Sequence, residues 1–321
     1  ETLAAMKFPP AKIILEYLTT SKTLGMLSDG DGAYLKLVKA DGRIHGRVNG
    51  NGARTGRMTH SKPNTANIPK DPAIRSLFGP RAGWKLVGCD GEGIQLRALG
   101  HYLHRYDGGA MADRIVNGKK EDGTDPHSVN RDALRHLGLT TRDGAKTTIY
   151  AKLFGSTDGG LAHTVKDAIR EAGGTPTRMN HYAFGKEVNR SLSVGMTGLD
   201  LLEAAAQARM KSQGYLIGLD GRRVYSDHPR LALVSLCQSY EAAIMKKALA
   251  LFMERHGTFH GEHWGLCANV HDEVQLESHP DVAERLGASF ALCITLAGDA
   301  LGAKCPMTGA YQVGNNWSET H

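Results

Sequence analysis

Apolar and polar positions repeat with two different periods along this chain. Helical spacing comes first, at Ile14, Leu15, Leu18, Leu24 and Leu27 within residues 11–27, and predicts a helix that packs one face and leaves the other in water. A period of two sets Val274 and Leu276 against Gln275 and Glu277, the pattern of a half-buried strand. With the apolar run Leu266–Val270 ahead of it, this predicts two short strands that pair across a corner of His271, Asp272 and Glu273. Another apolar strand is predicted at Leu86–Cys89, delivering Asp90 at its end before a helix-like run over Ile94–Leu103. Helices are also predicted over 140–155, over most of 159–212, over Arg230–Arg255 and over Asp281–Leu301, the last packing behind the hairpin. Asp41-Gly42 reads as a turn before a strand-like Arg43–Val48, residues 107–125 read as loop, and Leu219–Val224 reads as a hairpin. Asp125 is placed to cap a helix with Pro126 in its first turn.

Composition narrows the class. The chain has 321 residues, 41% of them hydrophobic, enough for one large domain or two lobes, and no apolar run nears the length of a membrane span. A formal charge of +6 suits a polyanionic partner. Five cysteines stand singly, with no C-x-x-C pair, which argues against a zinc site or a disulfide framework and for a reducing compartment. The expectation is a cytoplasmic protein (host cytoplasm if viral) with no membrane partner. The chain opens on Glu1 and runs at once into a helical pattern, so a piece of a longer protein is expected.

Three stretches carry chemistry. Turns recruit Gly, Asn or Pro, so Asp272 and Glu273 have no turn-forming task at their corner, although a solvated charged tip would look the same. Asp90, with small neighbours at a strand end, could accept a ligand or cap the next helix. Arg142, Lys146 and Tyr150 stand four apart and share one helix face, a grip for a triphosphate or a solvated face. Arg54, Arg57, His60 and Lys62 crowd one polar segment, as along a phosphate backbone or on a plain surface loop.

Taken in order, these stretches resemble the catalytic motifs of the family A (DNA polymerase I type) DNA polymerases, most closely their bacteriophage branch. Asp90-Gly-Glu-Gly-Ile-Gln-Leu-Arg97 is similar to the first motif, usually Asp-Tyr-Ser-Gln-Ile-Glu-Leu-Arg. Arg142, Lys146, Tyr150 and Phe154-Gly155 match the spacing of the second, and Val270–Glu273 reads as the third, Val-His-Asp-Glu. Thr55-Gly56-Arg57, then Pro63, Asn64, Asn67, Ile68 and Pro69, and the Gly-x-Asn-Trp-x₃-His ending on His321 extend the likeness from about residue 11 to the C-terminus.

The resemblance implies an α+β right-hand polymerase fold, with an antiparallel palm sheet, helical fingers and a thumb largely missing. The palm would take residues 28–115 and 256–321, the fingers 116–228, and a long DNA-facing helix 229–255, with 1–27 as the residual base of a thumb. The implied reaction is template-directed transfer of deoxynucleotides to a primer 3′-hydroxyl by two Mg²⁺ ions, with Mn²⁺ as a substitute. Asp90, Asp272 and the carbonyl of Gly91 would hold the metals, and Glu273 would play a peripheral catalytic role, reaching the site only if the corner twists it there. Arg142, Lys146 and His127 would bind the triphosphate, and Tyr150, packing on the sugar, implies ready acceptance of chain terminators. Arg57, Asn64, Asn67, Gln238 and His271 would contact DNA. Partners would be primer-template DNA, dNTPs and a replisome or processivity factor reached through regions outside the chain.

Three departures stand out. Gln95 replaces the Glu that crowds a ribose 2′ position, losing a charge and its hydrogen bonds to neighbours; Phe154 replaces a Tyr; Val234 replaces an Asn. A single-subunit RNA polymerase and a catalytically impaired DNA-binding remnant are the alternatives.

Overall fold

The structure, a computed structural model, describes residues 9–320. Residues 1–8, part of the expected thumb base, and His321 lie outside the described residues. In chain order the elements are α1 (Pro9–Leu24), β1 (Arg47–Asn49), β2 (Thr59–Ser61), β3 (Lys85–Gly91), α2 (Ile94–Asp107) and α3 (Ala110–Asn117). There follow α4 (Pro126–Leu134), α5 (Arg142–Leu153), α6 (Asp158–Glu171), α7 (His181–Gly195) and α8 (Leu199–Gln213). The chain closes with β4 (Leu216–Ile217), β5 (Arg223–Val224), α9 (Ala232–His256), β6 (Trp264–Val270), β7 (Glu273–Ser278), α10 (Pro280–Ala300) and β8 (Gly309–Gly314). One-turn helices at Tyr34–Leu37 and Pro72–Arg75 are left unlabelled.

Helices α4 to α7 each start where a side chain satisfies a free N–H group. Asp125 accepts from His127 N at the head of α4, with Pro126 next, as predicted. Thr141 caps α5, Thr157 caps α6 and Asn180 caps α7 in the same way.

The main sheet is antiparallel with strand order β6-β7-β3-β8. Val87 and Cys89 of β3 and Val274 and Leu276 of β7 are buried on one face. Helix α10 backs β3 and β8 and packs along α9. Under the hairpin β6–β7, Trp264 meets Phe252 of α9 edge-on at 5.0 Å, and Phe290 of α10 lies 5.1 Å from that phenylalanine ring. The last helix thus lies behind the sheet, with β3 and β8 as its main partners there and Phe290 reaching the buried cluster under the hairpin. All three rings are fully buried, so truncating either Phe to Ala costs about 3–5 kcal/mol.

The alternation on β7 also carries an electrostatic clamp. Glu277 has a side chain 3% exposed and accepts from Arg43 Nη2 at 2.7 Å and from Arg81 Nε at 3.1 Å. Burial works against its charge, but the two guanidiniums hold its carboxyl down at about 2.

Several local expectations change. Residues 107–125 contain helix α3, because left-handed Gly108 and Gly109 (φ 65° and 95°) end α2 and start a new turn that buries Met111 and Ala112. The strand-like Arg43–Val48 yields only β1 at its end, pairing with β2, and both strands are largely exposed, giving alternation nothing to pack on. Helix α1 forms, but Ile13 (68% exposed) and Tyr17 (70%) are bare, so its apolar face is uncovered among the described residues. The 219–224 hairpin is a β4–β5 pair whose first strand lies three residues earlier than the predicted start.

Candidate active site

The corner between β6 and β7 is a two-residue turn of His271 and Asp272, because Val270 and Glu273 are already register partners. His271 takes a left-handed backbone (φ 59°), uncommon for a residue with a Cβ. The turn is pinned to the neighbouring strand: the Gly91 N–H donates to the Asp272 carbonyl at 2.9 Å. Asp90 lies directly opposite Glu273, and register partners project to the same face of a sheet. The two aspartates come together from strands far apart in sequence, as the motif spacing implied.

Their electrostatics fit a cation site. Burial and the charges of Asp272 and Glu273 push Asp90 up to about 7, with exposed Lys70 opposing. Asp272 is also raised, by burial first, although Arg57 and His271 oppose the shift. Carboxylates that disfavour each other's charged form are relieved by a bound cation, and an all-oxygen donor set suits Mg²⁺. Among the described residues no group of three or more His, Cys, Asp or Glu side chains is arranged for a metal. Two carboxylates and the Gly91 carbonyl match an ion that keeps several waters and takes few protein ligands.

Glu273 sits differently from its predicted place. It needs no twist, being the first residue of β7 on the Asp90 face, yet it is buried and its Oε1 accepts from Gln275 Nε2 at 2.7 Å and from the Trp317 indole. It anchors the C-terminal turn while adding negative charge beside Asp90.

On α5, Arg142, Lys146 and Tyr150 share a face as predicted. Arg142 is held by Asp125, with Nη2 to Oδ1 at 2.8 Å and Nε to Oδ1 at 3.1 Å. Lys146 is exposed. Tyr150 stacks on Phe154 at 6.3 Å and lies 6.3 Å from the His127 ring. Its phenol is raised by burial and then by the charges of Asp272 and Asp90, so this end of α5 is within electrostatic reach of the aspartates. His127 is buried with Nδ1 lacking a hydrogen-bond partner, an unmet donor or acceptor beside Arg142. Gly155 ends the helix in a left-handed conformation (φ 79°).

The predicted DNA contacts divide. Arg57 lies with its guanidinium on Glu241, Nη2 to Oε2 at 2.5 Å, and Gln95 donates its amide to the same carboxylate oxygen. Gln95 therefore keeps a hydrogen bond to a neighbour, contrary to expectation, because α9 supplies the acceptor. Gln238 is half-buried one turn before Glu241. His271 and Asn67 are exposed, and Asn64 already has a structural task, accepting from Ala66 N to cap a short turn. Of the basic segment, Arg54 pairs with Asp227, and His60 Nδ1 lies 2.9 Å from Thr65 Oγ1. Glu241 is the member of the site whose role the sequence did not give. A charged residue on an Ala- and Ile-rich helix face was its one signal.

Residues 1–319 match the family model described as DNA polymerase family A. The DNA-directed DNA polymerase of Escherichia phage T7 is 32% identical, and that of Enterobacteria phage T3 31%, each over 96% of this chain and 46% of the relative. DNA polymerase I of Pseudomonas aeruginosa is 26% identical over 99% of the chain and 34% of its own length. The chain thus spans less than half the length of these curated relatives. Among solved structures, the POL domain of Pol1 from M. smegmatis, in complex with DNA primer-template and dNTP, superposes with a TM-score of 0.74 at 22% identity, covering 90% of this chain and 50% of that one. No helix among the described residues is long and apolar enough to cross a membrane.

Proposed function

The chain belongs to DNA polymerase family A, and from that premise we propose that it is the palm-and-fingers portion of a template-directed DNA polymerase, adding dNTPs to a primer 3′-hydroxyl. The observation that carries this reading is the pairing of Asp90 with Asp272, fixed by the Gly91–Asp272 backbone bond and within electrostatic reach of Tyr150 on α5. The palm is assigned to residues 28–115 and 256–321, the fingers to 116–228, and the helix joining them to 229–255.

Asp90, Asp272 and the Gly91 carbonyl would hold two Mg²⁺ ions, which when bound supply charge neutralisation at the phosphoryl oxygens and acidify the attacking hydroxyl. The protein's own part is placement. Lys146 offers a point charge and Arg142 a fork to the triphosphate, and the unpaired His127 Nδ1 can supply a further hydrogen bond. Tyr150 borders the sugar and nascent base pair. Gln95, buried on the first turn of α2, borders the sugar from the palm side. Gln238, Arg57 and His271 would line the primer-template, where minor-groove acceptors common to all base pairs suit an enzyme that copies any sequence. Glu273 orders the strand beside the metals through Gln275 and Trp317.

Primer extension with Mg²⁺, comparing the parent chain with Asp272→Ala, tests the reading. Extension by the parent and its loss in the variant is the expected result; equal activity in both overturns the mechanism, and extension with ribonucleotides alone would turn it toward an RNA polymerase.

A further inference from the structure

We propose that Glu241 is a positioning residue that binds Gln95 and Arg57 into one rigid unit and thereby sets selection for the nucleotide's sugar. This rests on the polymerase reading above.

Glu241 lies mid-way along α9 and is 1% exposed. A single oxygen, Oε2, accepts from Arg57 Nη2 and from Gln95 Nε2, so one carboxylate joins three elements: the Thr55-Gly56-Arg57 loop, the first turn of α2 and α9. The other oxygen, Oε1, is buried without a hydrogen-bond partner, as is Arg57 Nε. Burying a carboxylate with one oxygen unmet is costly, and an apolar residue here would avoid that cost only by leaving Arg57 and Gln95 without their shared acceptor. A cost of this kind is commonly retained where a site needs it.

The unit stands against the catalytic carboxylates. The charge of Asp272 acts on Glu241, and that of Arg57 acts on Asp272. Gln95 is five residues beyond Asp90 on the same strand-to-helix connection. Donating its amide to Glu241 fixes both its rotamer and the sense of its amide. A side chain so held cannot swing aside for one extra hydroxyl, whereas an unheld Gln can. The sequence has in effect moved a carboxylate: position 95 has an amide, and the charge arrives from α9 instead.

Single-nucleotide incorporation on a primed template, with dNTP and the matching rNTP, separates this role from a mere staple. Four proteins are compared: the parent, E241Q, Q95E and the double variant Q95E/E241Q. E241Q should lose about tenfold in deoxy-over-ribo selectivity, the worth of one charge-assisted hydrogen bond. Q95E should lose dNTP kcat/KM by setting two carboxylates together. The double variant exchanges amide and carboxylate while keeping their hydrogen bond, and should recover both values to within about threefold of the parent. Parental selectivity in E241Q, even with a lowered Tm, overturns the inference, and so does a double variant no better than the worse single one. A parent that extends with neither nucleotide overturns the polymerase reading itself, and this inference with it.

Discussion

Arg142 lays the Nε–Nη2 edge of its guanidinium on Asp125 and leaves Nη1 outside that pair. Asp125 does two tasks, capping α4 and orienting a cation, and its carboxyl is held at about 2 against the cost of burial by bonds from Arg142, Ser128 and the His127 backbone. Asp125→Asn keeps an equally good cap but loses the charge that aims Arg142. The expected outcome is a dNTP KM raised about fivefold with Tm within a few degrees of the parent, read by steady-state kinetics and thermal melting.

Asp90, Asp272 and Glu273 share a motif-level description but not a role. On the proposed mechanism, Asp90→Asn and Asp272→Asn should each cut kcat by about a thousandfold or more, since each would remove a proposed metal ligand. Glu273→Gln should cost kcat less than about tenfold while lowering stability by about 2 kcal/mol, because Trp317 and Gln275 lose a charged acceptor. Rapid-quench rates and denaturant unfolding on the same preparations separate the two effects. A thousandfold loss in Glu273→Gln with unchanged stability would place it among the ligands.

Acid should weaken the fold through Glu277. Its folded carboxyl is depressed to about 2, below the unfolded value, so its stabilisation is complete above the unfolded value of about 4.3 and is lost as pH falls toward 2. Asp125 acts with the same sign over the same window. Glu277→Gln should be less stable than the parent by about 2 kcal/mol at pH 6, and urea unfolding should show that difference shrinking as pH falls from about 4.3 toward about 3. The raised Asp90 acts with the opposite sign at higher pH, so the difference between the two proteins, not the parent's own curve, isolates Glu277.

Gly155 is required where α5 stops. Its φ of 79° favours glycine, and a Cβ there would stand 2.6 Å from Leu231 Cδ2 and 3.0 Å from Val234 Cγ2. Gly155→Ala should therefore destabilise by about 2 kcal/mol, seen as a drop in Tm of several degrees.

Elements with a strong local signature were legible in the sequence. The β6–β7 hairpin, β3, α9 and α10 appear within a few residues of their predicted bounds. Yet β7, whose alternation predicts a half-buried strand, is buried on both faces, because Arg43 and Arg81 cover Glu277 while the C-terminal turn covers Glu273 and Gln275. Where tertiary packing reverses a local cue, sequence reading failed. Gly108-Gly109 punctuates two helices rather than opening a loop, and the apolar stripe of α1 is largely exposed among the described residues. The motifs single out Asp90, Asp272, Arg142 and Lys146 as candidates, but no local rule says that Arg142 rests on Asp125 or that Gln95 and Arg57 meet on Glu241, 146 and 184 residues away in sequence. Those contacts belong to the fold as a whole.

The strand order has a kinetic consequence. β3 lies between β7 and β8, both drawn from the far end of the sequence, and Glu277 meets Arg43 across 234 residues. The helices from α4 to α7 pack mainly on one another and need few distant contacts, whereas the sheet must close a long loop first. A chain with its helices formed and its sheet unpaired would have no Asp90–Asp272 pair, so the proposed metal site would be complete only once the sheet has closed. Refolding followed by helix signal and by regained catalysis should accordingly give two separate time courses, the second the slower.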